Sequence, residues 1–201
     1  MTTYAQLQAD VANYLDDDGL SSEIVGFIRI AESRHRREIR MREMLVREPL
    51  AVAGRNVALP EGFLEAINLR LLTSPVTVLS EISIHEMTVA RQEDPGKPSA
   101  YCITSDFEFD RAPDSAYSGE ISYYKALTPL SDDAPSNVLL ATYPDAYLYA
   151  ALSASAPFQM ADERLAVWEA MYRDARDAIN AQANASRRVG PLVSRVHGLN
   201  P

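Results

Sequence analysis

Apolar positions recur every three or four residues at both ends of this chain and every second residue through its middle. At the start, Thr3 and Gln6 make a capping-box pattern, and Tyr4, Leu7, Val11, Tyr14 and Leu15 follow at helical spacing until Asp16-Asp17-Asp18-Gly19 ends the run. The spacing predicts a helix from Thr3 to about Asp16. Ser21 or Ser22 caps a second helix, striped by Ile24, Phe27, Ile28, Ala31, His35 and Ile39. It is expected to run to about Leu45, because Pro49 forbids continuation.

From Glu48 to Lys125 the period shortens. Leu50 to Ala53, the turn Gly54-Arg55-Asn56 and Val57 to Leu59 read as a hairpin, Ile67, Leu69 and Leu71 alternate in a further strand, and Val76 to Leu79 make another. Ser80 to Arg91 predicts a short helix. Past the turn-rich Glu93 to Pro98, the pieces Tyr101–Thr104, Phe107–Asp110 and Gly119–Lys125 are β-rich with polar turns between them. Helical spacing returns in Asn137–Ala141, Pro144–Ala156 and about Ala161–Ala185, where Leu165, Trp168, Tyr172, Ala175 and Ile179 step by three and four. Gly190-Pro191, Gly198 and Pro201 keep the last residues from extending that helix.

These elements predict an α+β protein: a four-helix bundle with an inserted small antiparallel β-sheet subdomain and an extended C-terminal arm. The expected divisions are 1–47 for the N-terminal helices of the bundle, 48–126 for the β-rich insertion, 127–185 for the C-terminal helices and 186–201 for the arm. Pro144 suits a first helical position and Asp145 the positive helix end. Tyr147, Ala150, Ala151 and Ala154 lie on one face while Tyr149 and Leu152 lie on another. This helix is expected at the centre of the bundle, its tyrosine hydroxyls reaching polar partners at the core's edge.

Composition narrows the function. MTTYAQLQAD is polar from the start, so no signal peptide is expected, and the most apolar run, Tyr147 to Leu152, is too short to span a bilayer. Cys102 is the only cysteine. With His35, His85 and His197 it makes neither an intrachain disulfide nor a Cys/His metal cluster, which fits a reducing compartment and a small core residue. The formal charge of −9 argues against general attraction to nucleic acid. Positive charge gathers in two places. Seven arginines face four glutamates between Arg29 and Glu48, and Arg187, Arg188 and Arg195 stand in a C-terminal tail without acid. In the first stretch Glu32–Arg36, Glu38–Arg42 and Glu43–Arg47 are i,i+4 pairs in the favourable order. The expectation is a solvated, self-paired face; the alternative is that the unpaired Arg34, Arg37 and Arg40 meet a neighbouring subunit or DNA.

No catalytic pattern emerges. G-x-x-x-x-G-K-[ST], G-x-G-x-x-G and G-x-S-x-G are absent, and His85-Glu86 is followed by Met87-Thr88-Val89 instead of completing a zinc motif. Asp16 to Gly19 lacks the alternation of a calcium loop. No enzyme activity, cofactor or metal is expected.

The order "GKPSAYCIT", "FEFDRAPDSAYSGEISYYKALTPLSDDAPSNVLLATYPDAYLYAAL" and "DERLAVWEAMYRDARDAI", preceded by "NVALPEGFLEAINLRLL", resembles the head-to-tail adaptor (connector) proteins of tailed bacteriophages, the group that includes the tail tubular A type. The likeness covers about Val57 to Ile179. It implies a structural protein of the virion, made in the host cytoplasm and placed at the head–tail junction. There a homo-oligomeric ring of about twelve copies would sit below the portal protein and carry the next tail component, a nozzle or tail-completion protein. Double-stranded DNA would pass through the channel without sequence recognition.

Within that picture the tail is expected to leave the helical body as an arm that docks on the portal or between subunits. Leu192, Val193, Val196 and Leu199 would supply apolar area, and Arg187, Arg188 and Arg195 would pair with carboxylates. The acid-rich stretch Asp106 to Glu120 is one contributor to an acidic channel wall. The contrasting reading is a small non-ring adaptor or assembly chaperone that binds one protein partner.

Overall fold

The structure is a computed structural model, and it describes residues 2–16, 20–156 and 164–187. Among them are six helices and seven strands in a mixed α+β arrangement.

α1 (Tyr4–Leu15) starts where the sequence says it should. Thr3 Oγ1 accepts from the Gln6 N–H at 3.3 Å while Gln6 Oε1 accepts from the Thr3 N–H at 2.9 Å, and Asp16 closes the helix in the left-handed region at φ 53°. α2 (Ser21–Glu38) ends seven residues before the expected Leu45. The cause lies far away in sequence. Asn180 of α6 (Arg164–Arg187) donates to the Glu38 carbonyl at 2.8 Å and accepts the Arg40 N–H at 2.9 Å, capturing two backbone groups at the helix end. Ile39 is extended (φ −103°, ψ 131°). Ile39 and Met41 are buried in alternation, and after a 3-10 turn at Arg42–Met44 the chain enters β1 (Leu45–Val52).

The remaining strands are β2 (Asn56–Ala58), β3 (Phe63–Leu71), β4 (Thr77–Glu81), β5 (Ala100–Ile103), β6 (Asp106–Phe109) and β7 (Tyr117–Lys125), in spatial order β1-β7-β3-β4-β5-β6-β2. Two expectations are corrected here. β1 and β2 do not form a hairpin: β1 pairs with β7, and β2 with β6. Nor is the sheet wholly antiparallel, because β4 and β5 run parallel. Between them α3 (Ile84–Ala90), capped by Ser83 and Glu86, carries the chain back across the sheet, as a parallel pair requires.

β1 and β2 lie at opposite edges of the order yet are joined by Ala53, Gly54 and Arg55 alone. Four Cα–Cα steps reach at most about 15 Å, whereas six strand spacings in a flat sheet span about 29 Å. The sheet must therefore curl. Its hollow is filled by Leu50, Leu69, Leu71, Phe107, Ile121 and Tyr123, among others.

A second core belongs to the helices. α5 (Pro144–Ala154) packs against α1, α2, α4 (Val138–Thr142) and α6. Ala146, Tyr147, Ala150, Ala151 and Leu152 are buried there, with Trp168 and Tyr172 of α6. Small residues let its neighbours approach, and its tyrosines find partners. The Tyr147 hydroxyl accepts from Asn137 Nδ2 at 2.7 Å, and the Tyr143 hydroxyl donates to Gln182 at 2.6 Å. His35 sits between the Tyr147 and Tyr172 rings, edge-on to one and stacked on the other. Cys102 is buried in β5, as expected of a core residue.

Candidate interaction surfaces

α2 presents charge on two sides, and the two sides are used differently. Toward α6, Arg34 makes a fork to Glu169 with both N···O distances at 2.7 Å, reaches Glu38 at 3.1 Å and lies 4.0 Å over the Tyr172 ring. Arg176 meets the same Glu38 at 3.0 Å, and Arg173 meets Glu169 at 2.8 Å. The Arg34 hydrogen bonds hold the Glu169 carboxyl below the usual range. For Glu38 burial works the other way but is outweighed by Arg176 and Arg34, and its pKa is also lowered.

Further along, Arg40 donates to the carbonyls of Arg36 and Ile39 and meets Glu65 at 3.2 Å. Thus Arg34 and Arg40, which the spacing leaves without partners, have them inside the chain. Arg37 is exposed and makes no ion pair among the described residues. None of the three expected i,i+4 pairs forms. Glu32 turns inward to accept the Leu130 N–H at 2.6 Å, Glu38 is taken by Arg34 and Arg176, and Glu43 meets its neighbour Arg42 at 3.6 Å.

The other side of α2 borders a cleft of 260 Å³ against the extended link that follows β7. Met44, Leu127 and Pro129 make its apolar wall, and Arg29, Glu32, His35 and Arg36 its polar one. Burial raises the Glu32 pKa, opposed by hydrogen bonds from Leu130 and Tyr147 and by the nearby Arg29. Burial pushes the His35 imidazole down to about 4, against a hydrogen bond at the Ala146 carbonyl, so the ring is neutral near pH 7. With Nε2 donating to that carbonyl at 3.3 Å, Nδ1 is a buried acceptor with no partner among the described residues. Arg29 and Arg36 are exposed at the rim and make no ion pair among the described residues.

Within the acid-rich stretch 106–120, Glu108, Asp110 and Glu120 have partners inside the chain. Glu108 meets Arg91 at 3.3 Å, and Glu120 meets Arg70 at 2.7 Å and Arg47 at 3.3 Å. Asp110 is buried on the Ser99 hydroxyl and N–H. Among the described residues no group of three or more His, Cys, Asp or Glu is placed to hold a metal ion, and no helix is long and apolar enough to cross a membrane.

Residues 2–195 match the family model described as SU10 adaptor protein, a span that takes in every described element. The chain belongs to the SU10 adaptor protein family. No curated protein matches it. Membership makes it a bacteriophage adaptor, a structural protein of the virion that interacts with other head or tail proteins. It also brings in the two N-terminal helices, which the motif resemblance over residues 57–179 left aside.

For an adaptor of this family the surfaces are the chemistry. Arg187 is the last residue of α6, and Arg188, Leu192, Val193, Arg195, Val196 and Leu199 lie outside the described residues. The cleft residues Arg29, Glu32, Ser33 and Arg36 were missed as a group in the sequence. Their i, i+3, i+4, i+7 spacing places them on one face of α2, but only the linker packed opposite turns that face into a recess.

Proposed function

We propose that this SU10-family adaptor is the ring-forming joint between portal and tail, in the manner of the tail tubular A type. Copies arranged below the portal, about twelve of them, join the DNA-filled head to the next tail component, a nozzle or tail-completion protein, and leave a channel through which double-stranded DNA passes. The observation that carries this reading is the family match over residues 2–195, which includes the helices and the sheet together.

In this reading the four longest helices, α1, α2, α5 and α6, form the bundle in which the sheet is inserted, with divisions at 1–47, 48–126, 127–185 and 186–201. The arm made of Arg187, Arg188, Leu192, Val193, Arg195, Val196 and Leu199 grips the portal through carboxylates and apolar area. Arg37 is the best placed of the three α2 arginines to meet a neighbour or phosphate, because Arg34 and Arg40 are already occupied. The role is structural, with no catalytic step.

Electron microscopy of particles carrying the adaptor tests this, together with a chain truncated after Ser186. Density for a ring at the portal vertex is expected with the full chain. The truncated, folded subunit should leave heads that leak DNA or lack tails. Normal particles built with the truncated chain would remove the arm from the proposal. Particles with no adaptor at the vertex would overturn the joint itself.

A further inference from the structure

The described residues form two bodies. One holds α1, α2, α4, α5 and α6 around the helical core, and the other holds the seven strands and α3, with its core in the hollow of the sheet. Every closely packed pair of elements lies inside one body or the other, and no residue belongs to both buried clusters.

The chain crosses between the bodies twice, and each crossing is fixed at its ends and free in between. On the way out, Asn180 of the helical body holds the Arg40 N–H, and the sheet begins at Leu45. On the way back, the Ala126 N–H donates to the Gly62 carbonyl beside β3 at 2.7 Å. The helical body takes hold at Thr128, whose carbonyl accepts from Asn137 at 2.9 Å, and at Leu130, whose N–H is held by Glu32 at 2.6 Å.

Two kinds of contact span the joint. Tyr124, Leu64 and Ile67 of the sheet pack against the helical core, and Arg40 meets Glu65 at 3.2 Å with side chains 26% and 52% exposed. An ion pair so open to water is weak and screened by salt. When it parts, Arg40 stays on the helical side, because it also donates to the carbonyls of Arg36 and Ile39.

The space around the crossings decides what the joint can do. Met44, Ala126, Leu127 and Thr128 form a wall with a recess on each side, one of 260 Å³ toward α2 and one of 280 Å³ toward Ser136, Asn137 and Val138 at the start of α4. Packed interiors resist sliding because displaced atoms have nowhere to go. This wall has room in both directions.

We propose that the sheet swings against the helical body on a double hinge, Met41–Met44 and Ala126–Thr128, narrowing one recess as it widens the other. Arg40–Glu65 latches the arrangement described above, and the two recesses are clearance for the moving wall. Bodies joined by a small contact move relative to one another by default, and hinges of this kind are a few residues at element ends. β7 is the lever. It runs from the hinge at Lys125 out to Tyr117, about 26 Å at 3.3 Å per residue, so about 10° of swing carries its tip by about 5 Å. The inference goes beyond the adaptor reading and does not rest on it.

Pulsed electron spin resonance on the free full chain tests the hinge. Nitroxide labels go on Ala116→Cys at the sheet tip and Ala170→Cys on α6, both exposed, with Cys102 buried and unlabelled. Two pairs inside single bodies, Ala116→Cys with Ser105→Cys and Ala9→Cys with Ala170→Cys, serve as rigid references. The cross-body distance distribution should exceed both references in width by about 5 Å or more. Glu65→Gln, and separately about 1 M salt on the unsubstituted latch, should move population away from the latched distance in the same direction. Ser33→Trp props open the α2 recess and Ser136→Trp the α4 recess, so the two should displace the mean cross-body distance in opposite directions. The reference pairs, repeated in each variant, report that the bodies are intact.

A cross-body distribution as narrow as the references, unmoved by salt and by Glu65→Gln, overturns the hinge. Tryptophan variants with intact bodies that shift the distance the same way, or not at all, overturn the exchange between recesses. If either tryptophan variant fails to fold, salt and Glu65→Gln still decide the hinge. Because the chain is measured free, failure here leaves the virion joint standing, and particles lacking the adaptor leave the hinge standing.

Discussion

The Arg34–Glu169 fork is the strongest single tie between α2 and α6, and its worth can be bounded from its surroundings. Two charges at about 4 Å in a medium of effective dielectric about 20 attract by about 4 kcal/mol before costs. Fixing an arginine side chain takes up to about 2 kcal/mol of rotamer entropy, and removing water from both charges takes more. The two side chains are 20% and 28% exposed, between the open surface, where pairs are worth about 0.2–1 kcal/mol, and the interior, where losing one partner costs about 3–5 kcal/mol. A coupling of about 1–2 kcal/mol is expected. The contact with Tyr172 adds about 0.5–1 kcal/mol that Glu169→Gln keeps and Arg34→Met loses. A double-mutant cycle on these two substitutions separates the terms, with urea unfolding followed through Trp168, the only tryptophan and the residue next to Glu169. Arg34→Met should be the more damaging single change, and the double variant should fall short of the sum by the coupling. Additivity within about 0.3 kcal/mol would refute the claim that the fork joins the helices.

Gly119→Ala should destabilise by about 1–3 kcal/mol in denaturant unfolding. A Cβ there would lie 2.9 Å from the Leu50 carbonyl and 3.3 Å from that of Arg70, both backbone atoms of flanking strands. Asn180→Ala should cost about 1–3 kcal/mol and loosen amide protection around Glu38 to Arg40, readable by hydrogen exchange; unchanged exchange there would remove Asn180 as the cause of the helix end. Acid should weaken the fold in two stages. His35 is lowered to about 4 when folded, so the unfolded chain takes its proton first, and stability falls between about pH 6.5 and 4. Glu38 and Glu169, also lowered, add a second loss as pH drops below the ordinary carboxylate range. His35→Gln should flatten the upper stage and leave the lower one, measured as midpoint temperature against pH.

What was legible in the sequence is what local chemistry decides. Thr3 with Gln6 bounds α1 by itself, and the burial of Leu7, Val11, Tyr147, Tyr172 and Ile179 follows from spacing. Where distant groups decide, the reading failed. α2 stops at Glu38 because Asn180 takes its terminal groups, and only the alternation of Ile39 and Met41 hinted at it. β1 and β2, neighbours across a glycine turn, looked like a hairpin because local turn signals carry no information about β7 and β6. The arginines went astray for the same reason. Helical i,i+4 pairs worth about 0.2–0.5 kcal/mol yield to any better partner that folding brings near, and α6 brought Glu169 to Arg34 and Arg176 to Glu38.

β1 is an edge strand of eight residues, hydrogen-bonded to β7 alone, and Pro49 stands in its middle. A proline has no N–H, so an incoming strand would find a gap in the ladder after two or three residues. At the other edge β2 is three residues long, too short to template anything. A virion component accumulates in many copies before it is used, and open β edges at high concentration are the common route to irreversible aggregates. Among the described strands, both edges of the sheet are therefore poor templates for an added strand.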